Sequence, residues 1–293
     1  MSVVMPVLNG ERTIRQQLDS LAAQDYAGVW ELVVSDNGST DTTRAIVDDF
    51  TKTAPMPVRV ADATRQRGIS HARNAGVLAA RGTVVAFCDC DDQADPGWVR
   101  GVTTSVRPGA LTAGVNRELR DPHDPDSPII NPAGYLETTT TRTFVGCNFA
   151  LTRADYLRLG GFDESLPRYG FDDTEFALRT SGAGLQVEGS GDMVMYFRKT
   201  ADASGLMRKV YLSAKAEAVL WTRFPQMGQD PRIRTALRHL LALLPGVAGA
   251  PRAPKQFARQ AVTRWGRLVG LIDVRLGRVP RMPRLIRDLG SAA

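Results

Sequence analysis

Three short apolar runs, 2–7, 30–35 and 83–88, each have the length of a β-strand, and each stops abruptly in polar residues. Segments with helical spacing follow them: Ile14, Leu18 and Leu21 within 11–23, a stretch over 41–50 after a Ser-Thr pair, and 70–80 ahead of Arg81-Gly82. Strands that are apolar throughout must be covered on both faces, and alternation with amphipathic helices supplies that cover. The pattern predicts a doubly wound α/β sheet with helices on both faces. Such a sheet collects its ligands at the carboxyl ends of its strands. The polar clusters that directly follow strands are therefore where chemistry is expected.

The rest of the chain reads as follows. Residues 120–132, with four prolines among charged side chains, form an irregular surface loop. A strand over 143–151, a helix over 153–159, a Gly-rich segment over 160–173 and a helix reaching 180 come next, and a longer helix over 204–224 closes the body. Cys88, Cys90 and Cys147 fit neither a disulfide framework nor a zinc site, which favours a reducing cytosol. The first residues lack the basic flank and cleavage site of a secretory signal, and no run is long enough for a spanning helix.

The strand ending at Cys88 leads into Asp89-Cys90-Asp91-Asp92. Like charges ~4 Å apart repel by roughly 4 kcal/mol at an effective dielectric of 20, so raised pKa values or a divalent cation must relieve them. Hard oxygen ligands favour Mg2+ or Mn2+. The competing reading is a solvated acidic turn leading to a helix cap at Asp95-Pro96. Two further turns end strands at the same predicted edge, Pro6-Val7-Leu8-Asn9-Gly10-Glu11 and Asp36-Asn37-Gly38-Ser39-Thr40-Asp41, and Arg73 adds a cation near a helix start. A second acidic cluster, Asp172-Asp173-Thr174-Glu175, has capping-box spacing from Asp172 to Glu175. One cap uses one carboxylate, which leaves Asp173 in the first turn as a candidate proton acceptor.

Taken in order, Pro-Val-Leu-Asn-Gly-Glu, Asp-Asn-Gly-Ser-Thr-Asp, Ala-Arg-Asn-Ala-Gly, Asp-Cys-Asp-Asp, Gly-Cys-Asn-Phe-Ala and Gly-Gly-Phe-Asp…Gly-Phe-Asp-Asp-Thr-Glu-Phe resemble the family 2 glycosyltransferases of the GT-A fold over roughly residues 1–224. The resemblance implies an inverting transfer of sugar from a UDP-, GDP- or dTDP-linked donor to a hydroxyl of a saccharide or lipid-linked acceptor. It further implies that Pro6, Asn9, Glu11, Asp36, Asn37, Arg73, Asp89 and Arg198 surround the nucleotide and its phosphates, and that Asp89 and Asp91 hold Mg2+ or Mn2+. Asp173, with Asp172 beside it, takes the place of the catalytic acid pair, and Gly146, Cys147 and Asn148 take that of the strand flanking the acceptor. Two positions depart from the family pattern. Asn37 stands where a second Asp is usual, which changes the face offered to a nucleobase, and Asp172 stands where Glu is usual.

From Pro231 onward 13 Arg and Lys face only Asp273 and Asp288, a net +11 that leaves the first 230 residues at −5 of the total +6. Phe257, Ala261, Trp265, Leu268, Ile272, Leu276 and Val279 recur at helical intervals among these cations. A basic amphipathic extension over 225–293 is expected, either lying on an anionic membrane on the cytosolic side or packing on protein. With little aromatic interleaving, nucleic acid is not an expected partner. A non-catalytic nucleotide-sugar-binding scaffold is the rival of the enzyme reading, and the acidic residues at 89, 91 and 173 speak against it.

Overall fold

The computed structural model describes residues 1–120, 124, 126–200, 202–243 and 254–286. It divides into two compact units, one comprising Met1–Phe162, Phe176–Lys199 and the residues from Leu285, the other Asp163–Glu175 and Thr200–Arg284.

The first unit is built on an eight-stranded mixed sheet. Its strands are β1 (Ser2–Val7), β2 (Glu31–Asp36), β3 (Val58–Asp62), β4 (Val84–Phe87), β5 (Gln93–Ala94), β6 (Ala110–Glu118), β9 (Phe149–Thr152) and β10 (Gln186–Phe197), in the order β3-β2-β1-β4-β9-β6-β10-β5. A separate two-stranded ribbon pairs β7 (Leu136–Glu137) with β8 (Arg142–Thr143). The ladders β3-β2-β1-β4 are parallel, β9 runs antiparallel to both β4 and β6, and β10 is parallel to β6.

Residue alternation along the strands creates two cores. On one face Val3, Met5, Val7, Leu32 and Val34 meet α1 (Ile14–Ala22), α2 (Thr43–Thr51) and α4 (Trp98–Ser105). On the other, Val4, Val33, Val85 and Phe87 meet α3 (Ile69–Ala79), α5 (Arg153–Leu159) and α6 (Asp172–Gly182). An aromatic block seals this second face, with Phe87 and Phe149 stacked at 4.3 Å and Phe162 and Phe176 at 4.7 Å. Helix α5 follows the local rules closely. The Thr152 hydroxyl caps it by accepting from Asp155 N–H at 3.0 Å, and Gly160 ends it at φ +81°.

The expected strand over 143–151 is two shorter pieces. β8 ends at Thr143, residues 146–148 turn, and β9 begins at Phe149. Part of the expected loop over 120–132 lies outside the described residues. The remainder is tied to β6, with Ile130 N–H donating to Asn116 O at 2.8 Å and the Asn131 side chain accepting from Asn116 N–H at 2.7 Å.

The second unit carries α7 (Ala203–Arg223), α8 (Ile233–Leu241) and α9 (Pro254–Arg275). Helix α7, expected in the catalytic body, thus belongs with the C-terminal helices. On α9 the packed positions are Gly266, Leu268, Gly270, Leu271, Asp273 and Val274, whereas Trp265 and Leu276 of the expected stripe are 50% and 59% exposed. The periodicity of large apolar residues passed over the two glycines, yet these mark the closest approach. A Cβ on Gly270 would lie 2.4 Å from Lys215 O of α7. The cations interleaved on α9 are partly used internally, Arg267 by Glu217, while Lys215 of α7 engages Asp273. Among the described residues no helix is long and apolar enough to cross a membrane.

Close approach also sets the position of α3 over the sheet, because a Cβ on Gly76 would lie 2.4 Å from Val4 Cγ1. Overpacking there is expected to outweigh the helix propensity a side chain gains. Gly76→Val should lower stability by about 2–3 kcal/mol in urea unfolding. Gly182→Ala, where a Cβ meets nothing, serves as the tolerant control.

Candidate active site

The turns after β1 and β2 are stitched to each other. Asn9, at φ +54°, donates its N–H to Ser39 Oγ at 3.0 Å and accepts through Oδ1 from Thr40 N–H at 2.8 Å. The Glu11 carboxylate accepts from Thr42 N–H and Oγ–H at 3.1 and 2.8 Å, and Asp36 Oδ1 accepts from Ser39 N–H at 2.9 Å. The Ser39-Thr40 pair ahead of α2 is spent on this stitching, and Asp41 Oδ1, one residue before the N-cap Thr42, accepts from Thr43 N–H at 3.0 Å. Among the described residues Asn9 Nδ2, Glu11 Oε1 and Asp36 Oδ2 keep hydrogen-bonding capacity for a further partner. Pro6 interrupts nothing, because the β1–β4 ladder ends at Val4.

Asn37 departs from its expected role. It is 3% exposed, its Nδ2 donates to Ala63 O and Gln66 O, and its Oδ1 accepts from Gly68 N–H at 2.8 Å. The amide thus ties the second turn to the approach of α3 and has no face turned to a nucleobase, so this departure carries no information about the base. A carboxylate could not make both donations.

Beyond β4 the chain crowds three carboxylates. Ligand oxygens of Asp89, Asp91 and Asp92 all lie within 4.8 Å of one another. At that separation each ionised pair repels by about 3 kcal/mol at an effective dielectric of 20. The sequence reading of a metal pair at Asp89 and Asp91 did not include Asp92, whose side chain turns inward. Asp92 is 1% exposed, Oδ1 accepts from Arg198 N–H at 2.8 Å, and Oδ2 has no hydrogen-bond partner among the described residues. Burial, and then the charges of Asp89 and Asp91, push its carboxyl well above the usual carboxylate range. Burial first, with neighbouring acids adding to it, also raises the thiols of Cys88, Cys90 and Cys147, so no thiolate is available as a soft ligand. Three clustered carboxylates, one holding an orphaned buried oxygen, fit a hard divalent cation.

Neighbouring elements hold this turn in place. Gln17 of α1, fully buried, donates to Asp89 O at 3.0 Å and accepts from Ala94 N–H at 3.1 Å. Arg198, just past β10, donates through Nε to Asp91 O at 2.8 Å and through a guanidinium nitrogen to Gln16 Oε1. Arg73, expected in the nucleotide pocket, is instead a buried bridge. Its side chain is 4% exposed, donates to Asp89 Oδ1 at 3.2 Å and to Gly146 O at 2.8 Å, and lies 5.1 Å from the Phe162 ring centre.

The expected acceptor-flanking residues also need correction. Gly146 supplies a carbonyl to Arg73, and Cys147 is buried with its thiol 3.5 Å from Asn116 Oδ1. Asn148 is fully buried, accepts from Trp98 Nε1–H at 2.8 Å and donates to Val115 O and Met193 O, both at 3.0 Å. Both amide N–H groups and the carbonyl oxygen of Asn148 are engaged in joining α4, β6 and β10. Asn148 positions the sheet.

Asp172 and Asp173 lie in the second unit. The capping box is not formed as expected. Phe171 flanks the start of α6 at φ +60°, and its carbonyl accepts the first helical bond from Glu175 N–H at 2.9 Å. Asp172 is thus the first helical residue, and Glu175 is fully buried. Asp173 Oδ1 accepts from Thr174 N–H at 2.7 Å. A phenylalanine at positive φ costs about 1–3 kcal/mol, and such strain concentrates at functional positions.

A strand-end acidic cluster on a mixed α/β sheet can be compared directly with known proteins. The family model described as "Glycosyl transferase family 2" matches residues 2–158, more than half of the chain. The chain belongs to glycosyltransferase family 2. A second model, "N-terminal domain of galactosyltransferase", matches residues 136–200. Among curated proteins this family 2 member is 27% identical over 220 residues to validoxylamine A glucosyltransferase of Streptomyces hygroscopicus subsp. limoneus, covering 63% of this chain and 48% of that protein. It therefore spans about half the length of that relative. Among solved structures it resembles the mannosyltransferase PcManGT from Pyrobaculum calidifontis in complex with GDP-Man and Mn2+. The TM-score is 0.59 at 20% identity, covering 94% of this chain and 74% of that one. It also resembles residues 1–349 of S. aureus TarS in complex with UDP-GlcNAc, with a TM-score of 0.55 at 17% identity, covering 94% and 91%. Both likenesses show the fold, which is that of the GT-A glycosyltransferases.

The buried Asn37 amide is open to a direct test. Asn37→Asp removes two donations and sets a carboxylate against two carbonyls, so stability should fall by about 1–3 kcal/mol. Urea unfolding at neutral pH measures this, and an unchanged midpoint would show that the turn does not depend on the amide.

Proposed function

We propose that this family 2 glycosyltransferase moves a sugar from a UDP-, GDP- or dTDP-linked donor to an acceptor hydroxyl with inversion at the anomeric carbon. The observation that carries the reading is the three-carboxylate group after β4, with its orphaned Asp92 oxygen, in a chain of this family. Asp89 and Asp91, with Asp92 behind them, are the residues that would hold Mg2+ or Mn2+. When bound, the cation supplies positive charge against the donor diphosphate.

The chain's own groups do the remaining work. Asn9, Glu11 and Asp36 offer the capacity left over from their mutual hydrogen bonds to the nucleotide. Asp173 acts as general base, with Asp172 beside it at the start of α6. The acceptor oxygen attacks the anomeric carbon as its proton passes to the Asp173 carboxylate. The bond from that carbon to the diphosphate oxygen breaks, and its electron pair leaves with the diphosphate. Arg198, fixed on the Asp91 carbonyl and the Asp92 side-chain carboxyl, places positive charge beside the acidic turn. The acceptor is a saccharide or a lipid-linked saccharide presented at the cytosolic face of a membrane. The cation-rich helices α8 and α9 would dock the enzyme there on anionic lipid.

Replacing the base should separate chemistry from binding. Asp173→Asn is expected to lower turnover by about 10²–10⁴-fold while leaving nucleotide affinity within about twofold. Transfer measured with a panel of nucleotide sugars should depend on added Mn2+ or Mg2+ and disappear with a chelator. Undiminished transfer by Asp173→Asn would remove that residue from the mechanism. Donor binding without transfer or hydrolysis across the panel would favour a non-catalytic scaffold.

A further inference from the structure

Away from the acidic turn, the second unit carries a half-open cavity of about 220 Å3 lined by Trp221 of α7, Ala236 and His239 of α8, and Arg264 and Arg267 of α9. The volume is below the ~300 Å3 at which pockets for larger organic ligands begin, so it suits a small group and not a nucleotide sugar.

The wall of the cavity holds an excess of donors. Arg267 is neutralised, paired through two bonds with Glu217 at 2.8 and 3.0 Å, and its guanidinium lies 5.1 Å from the Trp221 ring centre. Arg264 has no carboxylate partner among the described residues, and its one described side-chain bond goes to His239 O at 2.6 Å. Trp221 is only 8% exposed, yet its Nε1–H has no acceptor among the described residues. A buried indole N–H is ordinarily paired. An indole donor and an uncompensated guanidinium in the same wall match an anion with several oxygens, such as a phosphate ester.

The surface around the same helices is both basic and apolar. On α8, Arg234, Leu237, Arg238 and Leu241 fall at helical spacing on one face, with Leu237 42% and Leu241 50% exposed and no acidic residue in the helix. On α9, Trp265 is 50% exposed. Leucine and tryptophan side chains among arginines are the composition of a surface that sits at the headgroup boundary of an anionic bilayer.

We infer that this cavity holds the phosphate of an anionic phospholipid, with Arg264 and Trp221 Nε1–H as its donors and Leu237, Leu241 and Trp265 entering the interface beside it. The inference rests on the membrane docking proposed above and assigns it a specific site. Docking by charge alone would use all the exposed cations alike. A built site singles out Trp221, a neutral residue.

The full chain should co-sediment with phosphatidylglycerol vesicles and not with phosphatidylcholine vesicles. Trp221→Phe, which keeps an aromatic ring but loses the donor along with part of the indole's volume, should weaken that binding about fivefold. Arg264→Gln should weaken it at least about tenfold. Exposed Arg259→Gln should lose only the roughly fivefold that any cation near an anionic surface contributes. Matched thermal melting curves establish that the variants are folded. If Trp221→Phe binds like the parent and Arg264→Gln is no worse than Arg259→Gln, the cavity assignment is overturned while surface docking stands. If the parent ignores anionic vesicles, docking and cavity both fail. An Arg264-dependent thermal shift with inorganic phosphate but no vesicle binding would make the cavity a site for a soluble anion and overturn the lipid assignment.

Discussion

Mutual repulsion among Asp89, Asp91 and Asp92 is the constraint to which the rest of the catalytic sheet answers. Their ligand oxygens sit within 4.8 Å of one another just past a strand whose last three residues, Val85, Ala86 and Phe87, are fully buried. The surrounding chain meets the strain in separate ways. Arg73 brings a cation to Asp89, Arg198 brings a backbone donor to Asp92 and grips the carbonyl of Asp91, and Gln17 pins both ends of the turn. These three residues come from α3, from the end of β10 and from α1, so the acidic turn can form only once distant parts of the chain have packed. Folding of the sheet and assembly of the site are the same event.

The legible parts of the fold were those whose burial is complete and whose ends carry local signals. β1, β2 and β4 are apolar on both faces, and α1 to α3 follow them with clear spacing, so pattern alone suffices. β3 is an edge strand with half-buried side chains, β6 runs through small and polar residues, and β10 contains glycines and a register shift between Ser190 and Val194. None of these keeps a period long enough to read. The stripe on α9 was misplaced for a related reason, since its closest contacts are made by glycines, which a hydrophobic count ignores.

At the site, residue types and strand-end positions were readable, and the direction of each side chain was not. Asn37, Arg73 and Asn148 all occur in motifs that suggest ligand contact, yet all three are spent on carbonyls, carboxylates or an indole within the protein. Asn37 looked like a change in base recognition because its partners, Ala63 and Gln66, lie 26 and 29 residues away. Gln17 gave no signal at all, being one glutamine in a polar helix. What separates a positioning residue from a binding residue here is burial, a tertiary property.

The guanidinium of Arg73 joins Asp89 to the carbonyl of Gly146, and so links the acidic turn to the turn that precedes β9. These two segments are 57 residues apart in the chain and would look like independent cassettes to anyone recombining members of the family. They are not interchangeable singly. A chimaera that imports one turn from a relative inherits an arginine reach set by the other, so Ala72 to Asn74, the acidic turn and residues 145–148 form one unit of inheritance and should be grafted together.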